Sequence, residues 1–450
     1  MPLNQLKETS RRWNCFSGVD LLGAFDFYTY TVSLDSLTID LGDAKRFGDA
    51  LAGLALGKRL DFATYEWLQK RWPLAVHEYT HFVDASSSLW GMRHLRGIAD
   101  AYGAGLNVRG GFEANFFKAK ELYDRVRCIR LPNYYTEQAK GAGNERPWSA
   151  RITAGKLFAS DGRLSDRTVV FARFSNRRDE LLVRSPVSTV SILEASAFAQ
   201  ELQVRFIATS MLPEDVRLVE LARQREALLD YIYDPRFTEY SVCAHIVANR
   251  LGCTDLVAAY MLCCLLARVV LNFTDQAYLL AGDHLDDVFR KLRWSGSLLD
   301  PVRAGIHQKD MGTLFYLLAM LLPDGSHSDP TSMVDGVSEA LRAFGLDLER
   351  LAQGARSEVT DIANEIAGCP IGSLRELASA GLANHLKLSY RSFDIPFEQL
   401  ALPPAVLGDL STVALFSGPN NLLSDFNVEH CYDELVQGQL WVERFSESCV

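Results

Sequence analysis

The chain has 450 residues, 48% of them hydrophobic and 23% charged, with a formal charge of −10. That composition excludes a disordered, collagen-like or low-complexity protein, and a chain this long can bury a large core without covalent staples. The acidic balance argues against a protein that coats nucleic acid through its overall field, so no nucleic-acid partner is expected.

The N-terminal MPLNQLKETSRRWNCFSG carries basic residues but no apolar stretch and no small-residue cleavage site, so no secretory signal is expected. Phe25 to Asp40 alternates aromatic or β-branched residues with polar ones and predicts one or two strands. Asp61 to about Ser88 reads as helix, restarted or bent at Pro73, and a second helix runs from Met92 to Tyr102, closed by Gly103 and Gly105. Residues 106–186 change character, with sixteen Lys or Arg against nine Asp or Glu. They hold a turn-rich piece (KGAGNERPWSARITAGK) and strand-like runs at Thr168–Phe174 and Glu180–Val183.

Helical spacing returns over Ser188–Ser210 and Val216–Leu229, followed by two very apolar helices, Leu256–Phe273 and Met311–Leu322. The first of these contains Arg268, costly in lipid, and reads as a buried core helix rather than a membrane span. The loop at 324–332 is a candidate joint, and Met333–Phe344, Leu348–Ala367 and Leu374–Leu388 continue the helical pattern. The nine cysteines show no C-x-x-C spacing and suit a reducing compartment, so a cytoplasmic location with no membrane partner is expected. The fold expected is mainly α with a small β-sheet (α+β). It divides into residues 1–105, a basic insertion at 106–186, a helical stretch at 187–323 and a helical C-terminal region at 324–450.

The residues that carry chemistry are His77-Glu78-Tyr79-Thr80-His81. On a helix, positions four apart share a face, so both imidazoles reach one metal ion, and two neutral nitrogens suit Zn²⁺. Glu78 lies about 100° round the helix, beside such an ion, where a carboxylate serves as general base. The flanking Leu74, Ala75, Val76, Phe82 and Val83 are uncharged, as a buried catalytic helix requires. The pentapeptide in this setting resembles the zincin metallopeptidases. Asp84 and Ser87 stand where the metzincin type has Gly and His, which points to the gluzincin type, whose third ligand is a Glu from a later helix.

On that resemblance Glu194, in the apolar run Ile192–Ala197, is the expected third ligand, and the small residues after it permit close helix packing. Glu201, two turns later, would support a ligand from behind. Asp100 is the alternative third ligand, at a spacing some gluzincins use. Asp84 is a further candidate for holding an imidazole, and His245, Tyr240 and Tyr233 are candidates for stabilising the oxyanion. The resemblance implies zinc-dependent hydrolysis of a peptide or protein substrate, which meets the sheet's edge strand, with Glu78 as proton acceptor; a regulatory protein partner would restrain it. The alternatives are a catalytically silent scaffold of the same fold and a helical interaction protein without metal.

Overall fold

The computed structural model describes residues 23–37, 41–106, 117–139, 143, 145–159, 161–416 and 421–448. It is mainly α, with two four-stranded sheets. The first half contains β1 (Ala24–Asp26), β2 (Thr31–Leu34), α1 (Leu41–Ala55), α2 (Phe62–Gln69), α3 (Trp72–Ser87), α4 (Leu89–Leu106), α5 (Phe117–Ile129), β3 (Glu137–Gln138), β4 (Ser149–Phe158), β5 (Leu164–Ser175), β6 (Leu181–Pro186) and α6 (Thr189–Ser210). The second contains α7 (Glu214–Ile232), α8 (Thr238–Leu251), α9 (Leu256–Leu271), α10 (Asp275–Asp283), α11 (Leu285–Leu292), α12 (Leu299–His307), α13 (Met311–Leu321), α14 (Pro330–Arg342), α15 (Leu348–Ile366), α16 (Gly372–His385), β7 (Ala405–Leu407), β8 (Thr412–Val413) and α17 (Val428–Ser448).

The basic insertion forms α5 and an antiparallel sheet in the order β3-β6-β5-β4. The other sheet, β1-β2-β7-β8, draws on both ends of the chain, because β7 pairs in parallel with β2 through Ser33↔Val406 and Leu34↔Leu407. The C-terminal residues are therefore built into the N-terminal core. Tyr79 on α3 donates from its phenol to the Pro403 carbonyl at 2.7 Å. α16 also packs on α3, so closely that a Cβ at Gly381 would stand 2.1 Å from the Ser86 carbonyl oxygen. Contacts therefore link the residues before and after the stretch 324–332.

Several boundaries differ from the sequence reading. Of the two readings at Pro73 the restart is the one found, separating α2 from α3. Gly103 and Gly105 do not end α4, which continues to Leu106 in contact with α3, α5, α15 and α17; packing outweighs the ~1 kcal/mol propensity cost of each glycine. The turn-rich piece becomes strand β4 from Ser149 onward. The run beginning at Leu256 is α9, capped by Asp255 accepting from the amides of Val257 and Ala258 and buried along most of its length. Among the described residues no single helix is long and apolar enough to cross a membrane, although α8 and α9 together, bent by 108°, reach that length and composition.

Candidate metal centre

α3 and α6 pack against each other at the centre of the molecule and carry the motif residues. α3 tolerates polar residues in an apolar setting because its hydroxyls bond within the helix: Thr80 Oγ1 donates to the Val76 carbonyl and Ser86 Oγ to that of Phe82, both at 2.7 Å. α6 starts at a capping box in which Ser188 Oγ accepts from the Ser191 amide at 3.2 Å, fixing the phase at which Glu194 faces α3. Ala195, Ala197 and Ala199 are fully buried, and their small volume lets the two helices approach.

His77 Nε2 and His81 Nε2 lie 3.3 and 3.4 Å from the same oxygen, Glu194 Oε2. Two ligands each ~2.0–2.1 Å from a tetrahedral zinc ion stand roughly 3.3–3.4 Å apart, so this spacing fits a shared ion. Glu194 Oε2 is buried and accepts no hydrogen bond of regular geometry among the described residues. The three side chains are the one group of His, Cys, Asp and Glu among the described residues whose ligand atoms all lie within 4.8 Å of one another. The donor set thus suits a divalent ion such as zinc.

His77 has a carboxylate behind it as well: its Nδ1 meets Glu201 Oε2 at 3.2 Å, while Arg205 donates to Glu201 Oε1 through Nε and Nη2 at 3.0 and 2.9 Å. Burial disfavours the charged form of Glu201, but His77 and Arg205 outweigh it and lower its pKa. Burial likewise opposes charge on His77, yet the Glu194 carboxylate close to its Nε2, the Glu201 carboxylate at its Nδ1 and the nearby Glu78 raise its pKa well above the usual imidazole value. Glu194 moves the other way: burial opposes its ionisation, and the two imidazoles lower its pKa.

Glu78 is 2% exposed. The chain passes directly over it at Gly23, where a Cβ would stand 3.1 Å from Glu78 Oε1 and 3.0 Å from the Ser33 carbonyl oxygen, so a side chain there would crowd the carboxylate. β1 follows immediately, an edge strand of its sheet, and Phe27 just beyond it brings its ring centroid 6.0 Å from that of His81. An edge strand therefore runs along the rim of the site from Glu78 to His81.

The other expected residues separate into two groups. Asp84 is near the centre, its carboxyl pushed up to about 6 by burial, against a hydrogen bond from Ser196 and the charges of His81 and Arg268. It lines a small cavity of about 20 Å³ with Arg268 and Tyr390. Tyr240 is buried on α8 and close enough to the Arg130 guanidinium to raise its pKa. Asp100 does not reach the histidines: its side chain is 55% exposed and pairs with Lys118 at 3.5 Å. His245 sits instead in an aromatic box of Trp148, Phe174 and Tyr233 and bonds through Nε2 to the Ile232 carbonyl at 3.1 Å; burial lowers its pKa to about 4. Tyr233 is a wall of that box.

Arg130 is the residue that sequence reasoning missed. Its side chain is 11% exposed and bonds Glu239 at 2.7 Å. Burial disfavours its charge, but Glu239 and, more weakly, Glu194 raise its pKa. Its one local signal is its apolar flanks, Ile129 and Leu131. Comparison of the chain with family models, curated proteins and solved structures gave no match.

Proposed function

We propose that the chain is a zinc-dependent metallopeptidase of zincin type, with His77, His81 and Glu194 as metal ligands and Glu78 as general base. The observation that carries this reading is the convergence of the two Nε2 atoms on Glu194 Oε2, with Glu78 next to His77 on the same buried helix turn. The ion, when bound, would act as a Lewis acid on the scissile carbonyl and make an attacking water acidic, toward a pKa of ~7. The Glu78 carboxylate accepts the proton of that water and returns it to the leaving amine, a role worth ~10²–10⁴ in rate. Glu201, held by Arg205, fixes the His77 ring by its Nδ1. Arg130, bonded to Glu239 and interacting through its charge with Glu194, is the candidate cation for steadying developing negative charge, with Tyr240 as the candidate phenol. An extended substrate would meet the sheet at an edge strand, and among the described residues β1 is such a strand and lies beside the site.

A second reading, a zinc-holding scaffold that cuts nothing, draws on the burial of all four residues, none of them more than 8% exposed. One experiment separates the two. Wild type and Glu78→Gln are assayed for zinc by elemental analysis and for cleavage of a peptide library. The peptidase reading requires one zinc in both and turnover in wild type alone. Zinc in both with no turnover in either selects the scaffold, and no zinc in either overturns the metal centre. The free thiols of all seven described cysteines support the cytoplasm as the compartment.

A further inference from the structure

The basic stretch builds a second concavity, apart from the metal centre. The C-terminal end of α5, the turn after it and the β4–β5 hairpin enclose about 450 Å³, within the ~300–1,000 Å³ usual for a ligand pocket. Two of its rings stand in solvent, Tyr134 at 62% and Phe158 at 49% exposure. They are held rather than loose. Their centroids are 6.4 Å apart, and the Tyr135 ring lies 4.6 and 6.4 Å from them. The Tyr135 phenol accepts from the Phe158 amide at 2.6 Å. Leu131, Tyr135, Leu157, Val169 and Phe171 form a small apolar cluster of their own beneath, separate from the main core.

The charges of this groove are unbalanced. Arg125 pairs with Glu121, and Asp124 takes Lys120 on both oxygens. Neither Arg127 nor Arg167 forms a salt bridge among the described residues: Arg127 stands 6.0 Å from the Tyr123 ring, and Arg167 donates to the Cys128 thiol and feels the buried Asp310 carboxylate from a distance. Two guanidiniums without a salt bridge beside two exposed rings complement a ligand that is both acidic and apolar. The paired Glu121 and Asp124 on the same wall disfavour a polyphosphate, whose charge is concentrated, over carboxylates spaced along a chain.

We propose that this groove binds an acidic peptide segment carrying one aromatic side chain, with carboxylates on Arg127 and Arg167 and the ring on Tyr134 and Phe158. The turn that brings Leu131 into the groove also carries Arg130, whose charge interacts with that of Glu194. The inference rests on the groove alone and holds whether or not the metal centre hydrolyses peptides.

The test is fluorescence anisotropy on the full chain, in wild type and in Glu78→Gln, where the probe cannot be consumed. The probe is a fluorescein-labelled pentapeptide of four glutamates around a tyrosine. Saturable binding that weakens with salt is expected, reduced at least about tenfold by Arg127→Ala with Arg167→Ala and severalfold by Tyr134→Ala. These side chains are exposed or half-buried, and unchanged circular dichroism would verify that the variants fold. Absence of binding, equal binding of a lysine-for-glutamate peptide, full affinity in the double arginine variant, or displacement by ATP as effective as by unlabelled peptide would each overturn the proposal.

Discussion

Two groups of buried histidines sit on helices that both pack against α6, and their surroundings are opposite. On α3, His77 and His81 face the carboxylates of Glu194 and Glu201; on α8, His245 faces three aromatic rings and a carbonyl. Both environments exclude water to a similar degree, yet the pKa of His77 is raised and that of His245 falls to about 4. Burial alone favours the neutral ring, and only a converging carboxylate reverses the sign. A lone buried histidine with one backbone partner is a packing element. A pair sharing one otherwise unbonded carboxylate oxygen is a site built for a cation.

The most severe way to break this contrast is to remove a ligand. His77→Ala or Glu194→Ala is expected to reduce the zinc content from one per chain to none, by elemental analysis after metal-supplemented expression. Asp100→Ala and His245→Phe should leave it at one. Retention of zinc in Glu194→Ala, or its loss in Asp100→Ala, would move the third ligand elsewhere.

How much of this was legible in the sequence depends on how far apart the cooperating residues lie. His77, Glu78 and His81 are fixed by one helical turn, and Glu201 follows Glu194 at two turns, so local periodicity reveals both sets. Glu194 was marked by a single acid in the apolar run Ile192–Ala197. Apolar flanks, Ile129 and Leu131, are all that marks Arg130 locally among the sixteen cations of residues 106–186, too little to single it out; its role comes from the tertiary approach to Glu194. The box around His245 draws on Trp148, Phe174 and Tyr233 from three separate segments, so its aromatic character has no sequence pattern. The parallel pairing of β7 with β2 joins residues more than 370 positions apart and was equally invisible. Without it the C-terminal region looked separable from the site it completes.

The contrast also predicts a pH effect. His245 stays neutral in the folded chain down to about pH 4, while an unfolded histidine takes up its proton near pH 6.5. Between those values the unfolded state binds more protons, so stability falls as pH falls, by ~1.4 kcal/mol per unit and ~3 kcal/mol in total. His94, bonded to the Phe27 carbonyl and also lowered to about 4 by burial, adds a similar loss. Urea midpoints of wild type and His245→Phe at pH 7 and pH 4.5 measure the His245 share, because the metal ligands are common to both chains. The variant should lose roughly 2 to 2.5 kcal/mol less between these two pH values, at a cost of about 1 kcal/mol at neutral pH for the missing bond to the Ile232 carbonyl. Equal acid losses in the two chains would mean that the aromatic box does not hold the ring neutral.

The smallest effect sharpens the other side. Glu201 touches the ion's ligand rather than the ion's place, so its removal should weaken zinc binding without abolishing it. In Glu201→Gln the amide oxygen can still accept from His77 Nδ1, but the negative charge that makes the imidazole a better donor is gone, and Arg205 loses its anion. The expected loss of zinc affinity is about 10- to 100-fold, by competition with a chelator of known affinity. Arg205→Ala should give a smaller loss, since the carboxylate remains and only its anchorage is removed. If Arg205→Ala matches or exceeds Glu201→Gln, Arg205 acts on the centre by another route. If both are silent, His77 is held by the packing of α3 against α6, and the two histidine environments differ only in the presence of Glu194.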